Sequence, residues 1–190
     1  MADVTRPQNN KIAYTVRFAT EADIPAIREV ARASWDTTYP HVPSETRAAF
    51  VSRSYSETAL NHSLKRAGKD CWFWVVENTE KGIIGFGEVV LQPGSHPDAE
   101  LTRIYLLSEW QVRGIGTAIL NEMLATLRSF NTESDLRPPR LRLTVDVHNT
   151  LAIAFYEQRG FRFTRDYLID LPESFGYPKP LEVKEYILEL

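Results

Sequence analysis

Apolar residues recur along this chain with two alternating periods, and the switches between them divide it into elements. Tyr14 to Ala19 alternates apolar with polar and predicts a strand. Ile24, Ile27, Val30, Ala31 and Ser34 then keep helical spacing, after Thr20 and Asp23 in a near capping-box arrangement. Trp35 to Ser44 holds two prolines and reads as a loop. Two helical pieces follow, about Ser44 to Arg53 and Ser56 to Ala67. Cys71 to Glu77 and Ile83 to Leu91 read as a hairpin around a turn at Asn78 to Gly82. Gly85 and Gly87 in its second strand mark a bulge or a close backbone approach. Glu100 to Leu107 is a strand and Thr117 to Phe130 a helix. Leu141 to Val147 is a strand, and Thr150 to Arg159 a helix closed by Gly160. Phe161 to Asp170 and Val183 to Leu190 are the last strands. Gln92–Asp98, Asn131–Pro139 and the proline-bearing Leu171–Glu182 read as loops. A hairpin early and a strand–helix–strand crossover late predict an α+β fold rather than a doubly wound one.

Gln111-Val112-Arg113-Gly114-Ile115-Gly116-Thr117 joins a strand to a helix. The first N–H groups of a helix lack partners and carry partial positive charge, so this junction suits an anion. Gly114 and Gly116 let a phosphate approach the backbone, and Arg113 adds a charge-assisted contact. The segment is neither a Walker loop, which ends in Gly-Lys-Ser/Thr, nor the Gly-x-Gly-x-x-Gly dinucleotide fingerprint. The alternative is a helix that merely begins with glycines.

A second segment, Asn149 to Phe161, reads Asn-Thr-Leu-Ala-Ile-Ala-Phe-Tyr-Glu-Gln-Arg-Gly-Phe. With it the chain resembles the GNAT superfamily of acetyl-coenzyme A-dependent N-acetyltransferases. Gln111 to Gly116 match that superfamily's pyrophosphate loop, Gln/Arg-x-x-Gly-x-Gly/Ala. Asn149, Ala152, Phe155, Tyr156, Gly160 and Phe161 match its late helix, in family order. The resemblance runs from about Tyr14 to the C-terminus and is most specific between Glu100 and Phe161.

The resemblance implies a twisted mixed sheet with helices on both faces and acetyl-CoA as cofactor. It implies a splayed pair of parallel strands, with the main chain of Ile104, Tyr105 and Leu106 lining the pantetheine arm. The phosphates would lie on Gln111, Val112, Arg113, Gly114, Ile115, Gly116 and Thr117. Asn149 would hydrogen-bond the pantetheine, although an Asn before a helix is equally an N-cap. Trp35 and Tyr39 would wall the acceptor amine, with Asp36 or Glu45 opposing its charge. The alternative for Trp35 is a core anchor.

The chemistry demands an acid and a base. An alkylammonium with pKa near ~10.4 costs roughly 4.6 kcal/mol to deprotonate at pH 7. Histone-type members of the superfamily carry a base glutamate 11 residues before the loop, a position Glu100 occupies here. Glu88, Asp146 and His148 are rivals, the last because an unperturbed imidazole titrates near pH ~6.5. The alternative for Glu100 is a solvated carboxylate. Tyr156 lies two helical turns after Asn149 and is the expected acid for the departing thiolate. Its alternative is a core aromatic.

Composition narrows the picture further. The 190 residues suit one domain, expected over 13–190, with 1–12 a frayed or disordered tail. An apolar fraction of 43% and a charged fraction of 25% are those of a soluble globule. A net charge of −3 makes no case for nucleic acid, and the absence of a long apolar run makes none for a membrane span. The single cysteine, Cys71, forbids an intrachain disulfide and points to the cytoplasm, as a small core residue rather than a nucleophile. No metal is expected, and a homodimer is compatible with the sequence. The expected activity is acetyl transfer to the primary amine of a small molecule, by direct attack in a ternary complex. The alternatives are a protein lysine or N-terminal acetyltransferase, and a non-catalytic acyl-CoA sensor.

Overall fold

The structure, a computed structural model, describes residues 13–92, 98–130, 140–172, 175–177 and 179–190. The expected N-terminal tail and the Asn131–Pro139 loop lie outside these residues. Strand β1 (Tyr14–Phe18) leads through a short 3₁₀ turn into helix α1 (Ile24–Thr38). Helices α2 (Ser44–Ser54) and α3 (Glu57–Lys65) precede the hairpin β2 (Cys71–Asn78) and β3 (Gly82–Leu91). Then come β4 (Ala99–Leu106), α4 (Ile115–Ser129), β5 (Arg140–Asp146), α5 (Thr150–Glu157), β6 (Arg162–Ile169) and β7 (Leu181–Glu189). The strands form one sheet in the order β1-β2-β3-β4-β5-β7-β6. Only β4 and β5 run parallel; every other neighbouring pair is antiparallel. This is an α+β mixed sheet, as expected from the sequence.

Each face of the sheet carries its own core. On one, Ile115, Ile119, Leu120, Met123 and Leu127 of α4 pack on Trp72, Trp74, Ile84, Val89 and Leu101, with Tyr156 of α5 alongside. On the other, Ile24, Ile27, Val30, Ala31 and Trp35 of α1 cover Phe73, Val75 and Phe86. The two hairpin glycines serve the first core. A Cβ on Gly85 would lie 2.3 Å from Leu106 Cδ2, and one on Gly87 2.2 Å from Met123 Cε. One bulge adjoins Gly85, where Val76 opposes Gly85 but Glu77 opposes Ile83, leaving Ile84 as the extra residue of β3. A second lies where Glu88 opposes Arg103 but Val89 opposes Leu101, leaving Thr102 as the extra residue of β4.

One boundary differs from expectation. α1 continues through Thr38, so Trp35 to Thr38 are helical rather than loop. The prolines that break the chain are Pro40 and Pro43, and they act only from Tyr39 onward. Cys71 is fully buried, its thiol pushed up to about 12 by burial and by Glu88, as suits a core residue. Among the described residues no helix is long and apolar enough to cross a membrane.

The start of α1 is held by one carboxylate. Asp23 accepts from the Thr20 backbone N–H at 2.8 Å and from both Arg17 terminal nitrogens at 2.8 Å. Arg17 draws the Asp23 carboxyl down from 3.8 to about 2. A depressed carboxylate stabilises the fold fully above its unfolded value and stops doing so as pH falls through about 4 to about 2. Asp23→Asn should therefore cost about 1–2 kcal/mol above pH 5, with solvent screening part of the pair, and the difference should vanish near pH 2. Urea unfolding across that pH range checks it.

Candidate functional site

β4 and β5 hydrogen-bond at only three registers, Ala99–Leu141, Glu100–Arg142 and Leu101–Leu143. β4 then runs on to Leu106 and β5 to Asp146 with no ladder between them. The divergence begins at Thr102, where an extra residue bends the strand and sharpens its twist. The Thr102 hydroxyl donates to Glu88 Oε2 at 2.7 Å and fixes the bulge. The gap is a cleft of about 720 Å³ with strand backbone on both walls. Unpaired strand edges accept an extended, amide-bearing chain as an added strand.

The mouth of the cleft is the glycine loop. Leu106 ends β4, and its carbonyl accepts from Gln111 Nε2 at 3.0 Å and from Ser34 Oγ at 3.3 Å. Val112 then takes φ 57° and Gly114 φ 81°, turning the chain into α4. No side chain caps this helix, and its first turn holds no acidic residue. The first helical bond runs from Ala118 N–H to the Gly114 carbonyl, so the N–H groups of Ile115, Gly116 and Thr117 have no helical acceptor. Gly116 must be small for another reason: a Cβ there would lie 3.1 Å from the Phe155 ring of α5.

Arg159, which the sequence reading missed, reaches this mouth. Its Nη1 donates to the Phe155 carbonyl at 2.9 Å, its Nη2 to Thr117 Oγ1, and its guanidinium lies 3.7 Å over the Phe155 ring. Its Nε is buried with no partner. A buried donor left over beside an uncapped helix terminus is the arrangement a phosphate oxygen completes. The available signal was an arginine three residues after Tyr156, about one turn along the same helical face.

Of the expected cofactor residues, Ile104, Tyr105, Leu106, Gln111, Val112, Gly114, Gly116, Thr117, Asn149 and Tyr156 line the cleft. Arg113 does not; it lies 5.6 Å over the Trp110 ring. Ile115 is fully buried in the core and can offer only its backbone. Gln111 braces the loop against Leu106 rather than presenting its amide to a ligand. Asn149 caps α5, its Oδ1 accepting from Ala152 N–H at 3.1 Å. That leaves Nδ2 as the atom for a pantetheine carbonyl.

The acceptor side differs more. Tyr39 lines the cleft, its hydroxyl 3.2 Å from that of Tyr105. Trp35 does not line it; buried between Phe50 and Tyr39, it donates Nε1–H to the Tyr55 hydroxyl at 3.4 Å and anchors α1. Its helical position turns it into the core. Glu100 is also absent from the lining. It accepts from Gln92 Nε2 and faces Arg142 at 3.6 Å, in the segment where β4 and β5 are still paired. A carboxylate held there meets an arginine, not an acceptor amine. Glu88 is buried and ion-paired with Arg103 at 3.2 Å, and Asp36 with Arg47 at 3.2 Å. Glu45 is exposed at the start of α2, outside the lining.

Two groups remain: Tyr156, which lines the cleft, and Asp146, which contacts the lining residue His148. Tyr156 is 5% exposed, and burial raises its phenol well above the ordinary range, so it stays protonated. Asp146, 7% exposed, accepts from the His148 backbone N–H at 2.7 Å and lies 3.0 Å from His148 Nδ1 and 3.1 Å from His41 Nε2. His148 lines the cleft, and no motif or spacing along the chain singles out His41.

The model of the Acetyltransferase (GNAT) family matches residues 25–161, which spans both the glycine loop and α5. The chain belongs to the GNAT acetyltransferases. As such it is an acetyl-CoA-dependent N-acetyltransferase, and the cleft, cradle and Arg159 fit coenzyme A. The chain is 26% identical over 153 residues to a spermidine N(1)-acetyltransferase of Thermoplasma acidophilum, covering 80% of this GNAT chain and 89% of that one. It is 24% identical over 189 residues to an N-alpha-acetyltransferase of Sulfolobus acidocaldarius, covering 94% and 99%. In fold it is similar to the PaiA N-acetyltransferase of Thermoplasma acidophilum in complex with coenzyme A, with a TM-score of 0.73, 23% identity, and 94% and 99% coverage. The spermidine N-acetyltransferase of Vibrio cholerae in complex with CoA and spermine superposes with a TM-score of 0.65, at 20% identity and 93% and 95% coverage.

Two substitutions test the cradle. Gly114→Asp should weaken coenzyme A binding about 100-fold, roughly 2.7 kcal/mol, because a carboxylate then opposes the phosphates at the helix start. Arg159→Gln should weaken it about tenfold while leaving the fold intact. Isothermal titration calorimetry with coenzyme A reads both.

Proposed function

We propose that this GNAT enzyme acetylates the primary amine of a small cationic molecule, by direct transfer in a ternary complex. The observation that carries this reading is the inner wall of the cleft, where the Tyr39 and Tyr105 hydroxyl pair and Tyr156 stand near the buried Asp146 carboxylate. Phenol rings and one carboxylate attract an ammonium without needing a peptide backbone to read. The names of two similar proteins, both spermidine acetyltransferases, support the same class. The name of the Sulfolobus relative supports a second reading, acetylation of a protein N-terminus. A single buried cysteine and use of acetyl-CoA fit a cytoplasmic enzyme.

Acetyl-CoA, when bound, supplies an acyl group activated as a thioester. The residues of this chain do the rest. The N–H groups at the start of α4, with Arg159, would hold the phosphates, while the β4 edge at Ile104 to Leu106 and Asn149 would hold the arm. Tyr156 would hydrogen-bond the departing sulfur. Because burial makes that phenol a weak acid, it does not ionise ahead of the nitrogen's own proton loss; the two transfers are coupled.

Thiol release should be followed with polyamines, amino acids, aminoglycosides and peptides as acceptors. Acceleration by one small-amine class establishes the proposal. Acceleration by peptides alone replaces it with the second reading, and binding of acetyl-CoA without transfer to any acceptor would indicate a sensor. Tyr156→Phe should lower turnover about 10- to 100-fold with coenzyme A affinity nearly unchanged. Equal turnover in the two proteins would remove the acid role.

A further inference from the structure

We infer that His148 is the group that takes the proton from the acceptor ammonium, and that Asp146 and His41 hold it in the tautomer able to do so. The inference rests on the acetyltransferase reading and names the base that reading lacks. The three residues come from two separate parts of the chain, His41 from the α1–α2 connection and the others from the end of β5. They meet on one carboxylate. Asp146 Oδ1 faces His148 Nδ1 at 3.0 Å, and its Oδ2 faces His41 Nε2 at 3.1 Å.

A carboxylate only accepts, so the nitrogen that each ring turns toward it carries the hydrogen. His148 therefore donates from Nδ1 and bears its lone pair on Nε2. Its side chain is 59% exposed and lines the cleft together with Tyr39, Thr144 and Tyr156, and Nε2 is the ring nitrogen that Asp146 leaves unengaged. The backbone bond from His148 N–H to the same Oδ1, at 2.7 Å, fixes the turn that presents the ring. Asp146 is 7% exposed, and its charge stabilises the imidazolium once formed.

Asp146 at the end of β5 and His41 from the α1–α2 connection face His148, and Tyr39 and Tyr156 line the same cleft. Arg47 of α2 lies behind that connection on the carbonyls of Tyr39 and Val42, and the Glu182 carbonyl of β7 accepts the Val147 N–H. The other carboxylates considered as bases, Glu88 and Glu100, each face an arginine.

Two imidazoles and a carboxylate also form a ligand set for a divalent ion. The rings argue against that use. Their centroids lie 4.3 Å apart with a 34° tilt, partly face to face. Imidazoles radiating from a tetrahedral ion at ordinary zinc–nitrogen distances hold their centroids about 5 Å apart. The observed arrangement is that of two rings sharing the two oxygens of one carboxylate.

The protons balance as follows. The substrate ammonium gives one proton to His148 Nε2, and the freed nitrogen lone pair bonds to the acyl carbon as the carbon–sulfur bond breaks. The sulfur takes the Tyr156 phenol proton, and the nitrogen's second proton restores that phenol. His148 then returns its proton to solvent. One ammonium and one thioester yield one amide, one thiol and one free proton.

The first test is the wild-type protein itself. Nitrogen-15 NMR of its histidines should show the neutral form of His148 carrying its hydrogen on Nδ1; a neutral form with hydrogen on Nε2 would overturn the inference whatever the activity. The second is the pH profile of an amine that the wild type acetylates. His148→Gln should lower kcat about 100-fold at pH 7, leave coenzyme A affinity within threefold, and approach wild-type rate near pH 10, where roughly a third of the amine is already free. Asp146→Asn and His41→Gln should show the same pH-dependent recovery with smaller losses. A constant ratio of His148→Gln to wild type from pH 6 to 10 would overturn the base role. Failure of the wild type to acetylate any amine would instead overturn the proposed function, with the tautomer still read by NMR.

Discussion

Everything at this site depends on backbone hydrogen bonds that are not made. Three registers join β4 to β5, and beyond Leu101 the two strands diverge with their edges turned toward one another across the cleft. A sheet centre is the least accommodating place to leave peptide groups unpaired. The protein does so by inserting one residue, Thr102, opposite Glu88, and anchoring the resulting bend on that buried carboxylate. Arg103 pairs with the same Glu88, so the charge needed to hold the bulge is neutralised where it is buried. The gap then recognises any extended chain bearing amides at the right spacing, which is the chemistry of a pantetheine arm.

The same economy governs the two ends of the cleft. At the mouth, α4 starts without a side-chain cap and without acidic residues, and α5 brings Arg159 beside it. Gly116 eases that approach, because a Cβ there would press on the Phe155 ring at 3.1 Å. The phosphate end is thus built by two helices packed together, not by the loop alone. At the inner end, most carboxylates near the sheet are matched by arginines, while Asp146 is matched by histidines. Imidazoles can gain and lose a proton near neutral pH where guanidinium groups cannot. That difference sets Asp146 apart from Glu88 and Glu100, which face arginines.

How much of this was legible along the chain varied with the distance over which each feature is decided. The glycine loop, the capped start of α5 at Asn149 and the order of strands depend on neighbours within a few residues, and period and motif carried them. Trp35 was misplaced because one turn more or less of α1 decides whether its ring enters the cleft or the core. Glu100 has the right spacing from Gln111, but spacing along a strand does not reveal that Arg142 and Gln92 stand beside it. Arg113 sits in the motif and turns to Trp110, whereas Arg159 sits outside the loop and turns toward it. His41 carried no signal at all, being 105 residues from Asp146 along the chain.

The sequence by itself determined the α+β pattern, the anion-binding helix start and the family, because each rests on local backbone geometry and on residue types at short fixed spacings. Only the tertiary structure decided which charges cancel, which aromatic rings face the cleft and which histidines share a carboxylate. Those outcomes are set by side chains from distant segments meeting in space. An ionisable group's role depends on the partner it meets there, not on its neighbours in the chain.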